Sequence, residues 1–349
     1  MKKYLAFLLI LLLLPAFAVG ETLTLSFVGD CSLGETIESQ GSKEGFSWMV
    51  DKNGLDWPFS TVRKYLDADD FTFANLEVVF TTRSKHKDKR TNLRAKPYYA
   101  QVLLHSGVDA VNTVNNHSFD FNYEGYMDTL KALDEIGFKH FGSVYVNSKY
   151  GSDLLLETEV KGIKIGAVGF SYPQESDLKI VKQRIQKLKD AGCDIIVASM
   201  HWGQETKPTQ TSEQMKFARE LIKAGADIIW GHHPHVLQPV QFYKGGIVMH
   251  STGNLTFGSM SSKVDRDTGI FQVTFDISGK DPVMTELKVI PFTTTGRGDY
   301  RPKELTEEAD RLRVFKKVRY AKKSETMTNL PESFLKTGVV KLKDGMPVE

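Results

Sequence analysis

The sequence predicts a layered α/β protein, and three observations support this prediction. Apolar runs of about four to seven residues, typical of buried strands, recur along the chain. Several of these runs are separated by stretches with the amphipathic periodicity of helices. The composition, 41% hydrophobic and 25% charged, is that of an ordinary folded domain, and the net charge of +2 gives no reason to expect a nucleic-acid partner.

The predicted elements follow one another along the chain. Strands are expected over residues 23–28, 71–74, 108–114, 158–168, 194–200, 227–230, 246–250, 269–275 and 283–290. Helices are expected over residues 123–136, 178–191 and 211–224, the last with a capping box at its start and Gly225 at its end. A charged helix is expected within residues 301–323, followed by a loosely packed tail.

The N-terminus predicts an exported protein. Two lysines precede an apolar stretch over residues 4–17, and Ala16 and Ala18 offer a cleavage site of the small-x-small type. This pattern is that of a secretory signal peptide, and it is shorter than the roughly 20 apolar residues of a membrane span. We predict a signal peptide over residues 1–20 and a periplasmic or otherwise extracytoplasmic protein. The alternative is a membrane tether formed by residues 4–19.

Side chains that can bind metals follow five of the predicted strands. Turn formation would explain any one of these groups alone, but not five of them together. In an open α/β sheet, ligands bind at the carboxyl ends of the strands. The five strand ends carry Asp30, Asn75 with Glu77, Asn116 with His117 and Asp120, His201 with Glu205, and Asn254.

A sixth strand end carries a cluster of histidines. The sequence WGHHPHV over residues 230–236 contains three histidines in four positions, and Pro234 stiffens the backbone between His233 and His235. Imidazole is the commonest metal ligand in proteins. We therefore predict a metal site at this edge of the sheet.

The kinds of ligand indicate which metals the site would hold. Nitrogen and oxygen ligands without thiolate suit manganese, zinc or iron rather than calcium. Two acids, one amide and at least three imidazoles exceed the needs of one tetrahedral ion, so we predict two divalent ions. Glu77 is the predicted bridging carboxylate, because it is an acid at a strand end flanked by apolar packing residues.

The order of the motifs GD, NLE, NNHxxD, HWGxE, HPH and GN resembles the CapA-like proteins of poly-gamma-glutamate capsule biosynthesis, a branch of the calcineurin-type metallophosphoesterase superfamily. The similarity extends from about Thr22 to about Ile290. It implies a four-layer αββα sandwich with mixed sheets over residues 21–300. The composition of residues 301–349 predicts a charged C-terminal helix and tail beyond it.

The resemblance also implies a role for each site residue. His117 would meet the leaving group or the developing charge, oriented by Asp120, whereas His232 stands at a variable position and is left out of the ligand set. The implied ligands are Asp30 and His235 for the first metal, Glu77 as the bridge, and Asn116, His201 and His233 for the second metal.

The chain departs from the superfamily at one position. The superfamily has Asp-x-His at its first strand end, but this chain has Asp30-Cys31-Ser32. Either Ser32, water or another side chain replaces the missing imidazole, or the first site is weak and a single ion is held tightly.

A basic loop follows the Glu77 strand end. Residues 81–96 hold seven lysines and arginines against one aspartate. A solvated loop is the plain interpretation, but a basic rim there would attract an anionic polymer such as polyglutamate, or a phosphorylated substrate. The predicted substrate-binding residues are Lys85, Lys87 and Arg90 in this loop, with Glu205 and Asn254 at other strand ends.

Three classes of function remain open at this point. The first is a dinuclear metal-dependent hydrolase or transferase that processes the capsule polymer. The second is a non-catalytic component of a polyglutamate synthesis or export complex at the membrane. The third is a metallophosphoesterase. The presence of His117 favours catalysis, and the missing imidazole at Ser32 favours the second class.

Overall fold

A computed structural model describes residues 21–142, 154–171, 177–258, 264–321 and 326–349. The signal peptide predicted over residues 1–20 lies outside these ranges. Among the described residues, no helix has both the length and the apolar character that crossing a membrane requires.

The described residues contain twenty strands and seven α-helices. The strands are β1 (Thr22–Cys31), β2 (Glu35–Thr36), β3 (Phe71–Leu76), β4 (Val79–Phe80), β5 (Leu93–Ala95), β6 (Ala110–Asn112), β7 (Lys139–Phe141), β8 (Leu156–Val160), β9 (Ile163–Ser171), β10 (Ile195–His201), β11 (Ile228–His232), β12 (Val240–Tyr243), β13 (Gly246–Met249), β14 (Asn254–Thr256), β15 (Asp267–Asp276), β16 (Val283–Thr293), β17 (Lys303–Glu304), β18 (Thr328–Asn329), β19 (Val339–Lys343) and β20 (Met346–Pro347). The helices are α1 (Phe46–Asn53), α2 (Arg63–Leu66), α3 (Asn122–Glu135), α4 (Leu178–Asp190), α5 (Ser212–Ala224), α6 (Glu308–Arg319) and α7 (Phe334–Thr337).

Two mixed sheets form the body of the molecule. The first has the order β20-β19-β16-β15-β1-β3-β6-β7, with β14 paired to β1 and β17 paired to β16. In it, β1 runs parallel to β3 and antiparallel to β15. The second has the order β18-β12-β13-β11-β10-β9-β8, with β9, β10, β11 and β13 parallel. A small third sheet joins β2, β5 and β4.

The two sheets pack face to face over an apolar core. Phe27 and Phe73 of the first sheet stack with ring centroids 5.2 Å apart, and Trp230 of the second sheet lies 5.9 Å from Phe27. Residues of α1 and α2 pack on the outer face of the first sheet, and residues of α4 and α5 on that of the second. The predicted four-layer αββα sandwich with mixed sheets is therefore confirmed.

The predicted helices are found close to their expected bounds, because their end signals are local. The side chain of Thr211 accepts a hydrogen bond from the backbone of Gln214, whose own side chain accepts one from the Thr211 backbone, so α5 begins with a capping box. Gly225 ends the helix in the left-handed conformation, with φ of 113°. α3 and α4 likewise match the stretches predicted as helices.

The C-terminal segment differs from the loosely packed tail that the sequence predicted. A helix is present there, α6, but β19 beyond it pairs with β16, and β18 pairs with β12, so the segment extends both sheets. Val340 and Leu342 point into the core, whereas Lys341 and Lys343 are exposed. This alternation covers only five residues, which is too short to distinguish from a polar tail in sequence.

Candidate metal centre

The predicted ligands lie at the carboxyl ends of strands from both sheets. Asp30 and His201 belong to the ends of β1 and β10, and Glu77 comes directly after β3. Asn116 lies beyond β6, while His233 and His235 follow β11. Because the parallel strands of each sheet end at the same edge, residues far apart in sequence meet in one region.

Asp30, Glu77 and His235 form the first group of predicted ligands. One ligand atom from each lies within 4.8 Å of the other two. The Nδ1 atom of His235 is 3.3 Å from Asp30 Oδ2, and its Nε2 is 3.7 Å from Glu77 Oε1. The Asn75 amide donates to Asp30 Oδ1 at 2.8 Å and contacts Glu77 Oε2 at 3.3 Å, which fixes both carboxylates.

Asn116, His201 and His233 form the second group. The Oδ1 atom of Asn116 is 3.0 Å from His201 Nε2, and the rings of His201 and His233 have centroids 4.7 Å apart. The backbone of His233 has φ of 102°, a conformation that non-glycine residues rarely adopt, and its N–H donates to Asp30 Oδ2 at 3.2 Å. The turn after β11 is therefore tied directly to the first group.

His232, which the resemblance left out of the ligand set, holds His201 in place. Its Nδ1 is 2.7 Å from His201 Nδ1, and its Nε2 is 2.7 Å from the hydroxyl of Ser199. If His201 donates through Nδ1, its Nε2 carries a lone pair that faces the oxygen of Asn116. Two acceptor atoms at this separation can bind the same cation as adjacent ligands.

His117 is oriented toward the same region by Asp120. The Nδ1 atom of His117 is 2.7 Å from Asp120 Oδ2, and its Nε2 lies 3.8 Å from Glu77 Oε1. Asp120 also accepts a 2.6 Å hydrogen bond from the Leu93 backbone and pairs with the ammonium of Lys89. Asp120 is thus placed to position His117. The sequence indicated Lys89 only as one of several charges in the basic loop, and not as a contact of Asp120.

The charges in the centre are strongly coupled. Burial raises the pKa of Glu77 well above its usual value, and the charge of Asp30 raises it further. Burial would raise the pKa of Asp30, but its hydrogen bond to His235 and the charge of that residue outweigh burial and lower it. For His235, burial is outweighed by the charge of Glu77 and the bond to Asp30, which raise its pKa to about 10.

The other imidazoles stay neutral. Burial lowers the pKa of His233 to about 3, and it lowers the pKa of His201 well below its usual value. Burial also lowers the pKa of His117, although Asp120 opposes the change. Neutral imidazoles are the form that binds a metal, so His235 would release its proton when an ion binds.

The site fits a divalent metal by its own chemistry. The Oε1 atom of Glu77 is buried without a hydrogen-bond partner, which is costly for a carboxylate unless a cation neutralises it. The surrounding donors are carboxylate, amide and imidazole groups, the set that manganese, zinc and iron accept. Three groups of His, Asp and Glu side chains in this region could hold an ion.

A cleft of about 450 Å³ opens over the centre, and only some of the predicted substrate contacts line it. Arg90 and Glu205 line it, whereas Lys85 and Lys87 lie elsewhere in the basic loop and are exposed to solvent. Asn254 is buried, and its Oδ1 is 2.8 Å from His235 Nδ1, so it is placed to hold that ring. The other lining residues include Lys89, Thr91, Asn116, His117, His235 and Phe257.

A four-layer α/β sandwich with these side chains at the strand ends of both sheets defines a metallophosphoesterase-like protein. The model of the bacterial capsule synthesis protein PGA_cap family matches residues 24–259, and the chain belongs to that family. This finding confirms the resemblance to CapA-like proteins.

Individual relatives agree with this assignment. The chain is 28% identical to the capsule biosynthesis protein CapA of Bacillus anthracis, over 86% of this chain and 73% of the relative. It is 29% identical to the PGA biosynthesis protein CapA of Bacillus subtilis, over 72% and 67% respectively. A hypothetical protein of Thermus thermophilus shares the fold, with a TM-score of 0.51 and 17% identity over 78% of this chain and 99% of that one.

Proposed function

We propose that this protein is a metal-dependent hydrolase or transferase that acts outside the cytoplasm on poly-gamma-glutamate or a related anionic capsule polymer. One observation carries the proposal: Asp120 orients His117 so that its Nε2 lies 3.8 Å from the Glu77 carboxylate. A purely structural protein has no need of an imidazole held in this way beside a set of metal ligands. The names of the relatives from Bacillus suggest the polymer.

The side chains divide the proposed chemistry among them. Asp30, Glu77 and His235 would hold one divalent ion, and the second would be held by Asn116, His201 and His233, with Glu77 shared. Such ions, when bound, polarise the scissile bond and make water a better nucleophile. His117 would then hold or release a proton at Nε2 beside the departing group, because Nδ1 is engaged by Asp120.

The mouth of the cleft supports an anionic substrate. Lys89 and Arg90 line it, and Lys89 also donates to the Asn116 carbonyl at 3.0 Å. These cations would raise the local concentration of a polyanion and align it over the metal centre. The chemistry at the cleft therefore agrees with a polyglutamate chain or a phosphorylated substrate.

A second candidate function is a non-catalytic component of a polymer synthesis or export complex at the membrane. The observation that favours it is Ser32, which stands where the superfamily has an imidazole ligand. Its hydroxyl accepts a hydrogen bond from the Gly258 backbone at 3.3 Å. A protein of this kind would bind the polymer without turnover.

The two candidates are separated by an assay of the full-length chain loaded with Mn²⁺. Polyglutamate, gamma-glutamyl amides and phosphodiesters are tested as substrates, and the bond that is cleaved identifies the reaction. His117→Ala should lower turnover by about a hundredfold or more. His105→Ala, which removes an exposed histidine outside the cleft, should change nothing.

Equal turnover by the wild type and by His117→Ala would reject the proposed role of His117. Polymer binding with no turnover of any of the three substrate classes would select the non-catalytic candidate.

A further inference from the structure

The first group of ligands is incomplete by comparison with the superfamily. Asp30, Glu77 and His235 supply two carboxylates and one imidazole. The position that would supply a second imidazole is Ser32, whose buried hydroxyl already accepts a hydrogen bond from Gly258. A further side-chain ligand at this position would let the first group hold its ion as tightly as the second.

Glu205 is placed to supply that ligand. One of its carboxylate oxygens, one nitrogen of His233 and one nitrogen of His235 all lie within 4.8 Å of one another. Glu205 lines the cleft above the centre, on the loop that follows β10. Glu205 is exposed to solvent at this cleft, whereas the carboxylates of Asp30 and Glu77 are buried.

The backbone fixes this loop to the histidine turn, which is formed by residues 233–235 after β11. Gly203 has φ of 84° and Thr206 has φ of 61°, so the chain reverses tightly on both sides of Glu205. The N–H of Thr206 donates to the carbonyl of Pro234 at 2.8 Å. Because Pro234 lies between His233 and His235, this bond holds the loop that carries Glu205 against the turn that carries both histidines.

The charge of Glu205 is available to a cation. Within the part of the chain that the structure describes, no lysine or arginine forms an ion pair with it. Its side chain is exposed to solvent at the cleft. Its negative charge also contributes to raising the pKa of Glu77. Two divalent ions surrounded by three carboxylates have a smaller net positive charge than two divalent ions surrounded by two carboxylates.

We propose that Glu205 is a ligand of the metal centre and supplies a carboxylate in place of the imidazole that is absent at Ser32. This inference rests on the proposed metal centre, but not on the reaction or its substrate. It changes the role of Glu205 from a predicted substrate contact to a residue that holds an ion.

Metal binding tests this assignment directly. The full-length chain is stripped of metal and titrated with Mn²⁺ by calorimetry, and the bound Mn²⁺ is counted by electron paramagnetic resonance. Glu205→Gln should weaken the less tightly held ion by at least about tenfold or abolish its binding. Glu213→Gln, which removes an exposed carboxylate from the first turn of α5, should bind Mn²⁺ as the wild type does.

The possible outcomes separate this inference from the proposed function. Unchanged Mn²⁺ affinity and stoichiometry in Glu205→Gln would overturn the inference, and a raised KM in the same variant would assign Glu205 to the substrate. A wild-type chain that binds no Mn²⁺ would overturn both proposals. Weakened Mn²⁺ binding in Glu205→Gln, with no turnover by the wild type, would support the inference and reject the hydrolase.

Discussion

Asn75 illustrates how a single buried amide can organise the centre. Its side chain bonds both Asp30 and Glu77, and its Oδ1 accepts a 2.9 Å hydrogen bond from Asn112 on the neighbouring strand. The amide therefore aligns the two carboxylates with each other. In sequence, Asn75 is visible only as part of the NLE motif, because an amide at a strand end is equally typical of a turn.

Lys89 and Glu205 mark the limit of sequence reasoning at the residue scale. Both lie in segments that the sequence singled out, the basic loop and the HWGxE motif. Their contacts with Asp120 and with the histidine turn depend on how two loops cross the cleft. The path of a loop depends on tertiary hydrogen bonds, which a local sequence pattern does not reveal. The sequence therefore indicated Lys89 and Glu205 but not the residues that they contact.

A pH dependence is predicted for His250, which lies outside the set of candidate ligands. Burial lowers its pKa from the ordinary 6.5 to about 3, so it stays neutral in the folded protein. Its contribution to stability is complete above pH 6.5 and is lost as the pH falls from 6.5 toward 3. The free energy of unfolding should fall by about 1.4 kcal/mol per pH unit on this account.

The measurement is urea denaturation of the metal-free chain at several pH values between about 6.5 and about 4.5, within the window where this histidine is neutral only in the folded state. His250→Gln keeps a hydrogen-bond donor for Gln241. As the pH is lowered, its free energy of unfolding should fall less steeply than that of the wild type, and the two slopes should differ by about 1.4 kcal/mol per pH unit. Parallel curves for the two proteins would show that His250 does not titrate in this way.

At the scale of elements, strands with a strong apolar pattern could be predicted and short ones could not. β10 and β11 are buried along their whole length, and both were expected from their apolar runs. β6 is only Ala110–Asn112, shorter than the predicted 108–114, because the residues after it turn to present Asn116. β12 was not predicted. It pairs with β13 in a hairpin, and the polar turn of that hairpin interrupts the apolar pattern.

Gly231 in β11 is predicted to be irreplaceable for a packing reason. A Cβ at this position would lie 2.1 Å from the backbone oxygen of His250 and 2.6 Å from the indole nitrogen of Trp202. Gly231→Ala must therefore displace β11, which leads into the histidine turn. We expect a loss of about 2–3 kcal/mol of unfolding free energy, measured by chemical denaturation.

The matched control is Gly279→Ala, where the nearest atom to a new Cβ is the Asp281 oxygen at 3.9 Å. Its stability should stay within about 0.5 kcal/mol of the wild type. An equally small effect for Gly231→Ala would contradict the close approach of β11 to the backbone of His250.

For the molecule as a whole, the order of the motifs along the chain predicted most of the fold. The four layers followed from the resemblance, and the convergence of the predicted ligands followed from the rule that strand ends share one edge of a sheet. The C-terminal residues that join both sheets were missed, because strands such as β18 and β20 have only two residues each. The pairing of these short strands depends on the edge strand beside which each one lies.

The basic loop should act on the whole polymer through long-range charge. Replacing Lys85, Lys87 and Arg90 together with glutamine should weaken binding of polyglutamate, and the loss should shrink as salt is raised, because exposed charges are screened. The measurement is fluorescence anisotropy of labelled polyglutamate at two or more salt concentrations. The matched control replaces the exposed Lys280, Lys288 and Lys303, which carry the same charge away from the cleft.

Equal loss of binding in the two triple variants would assign the effect to net charge alone. Binding by the wild type that does not weaken with salt would contradict the basic rim.

Side chains from distant parts of the chain are proposed to surround a common cation site. This proposal is tested most directly by crystals grown with Mn²⁺ and measured at the manganese absorption edge. The six implied ligands are Asp30, Glu77, Asn116, His201, His233 and His235. We expect anomalous peaks within coordination distance of these residues, two per chain, with Glu77 between them. Anomalous peaks at other places, or none at this edge of the sheets, would contradict it.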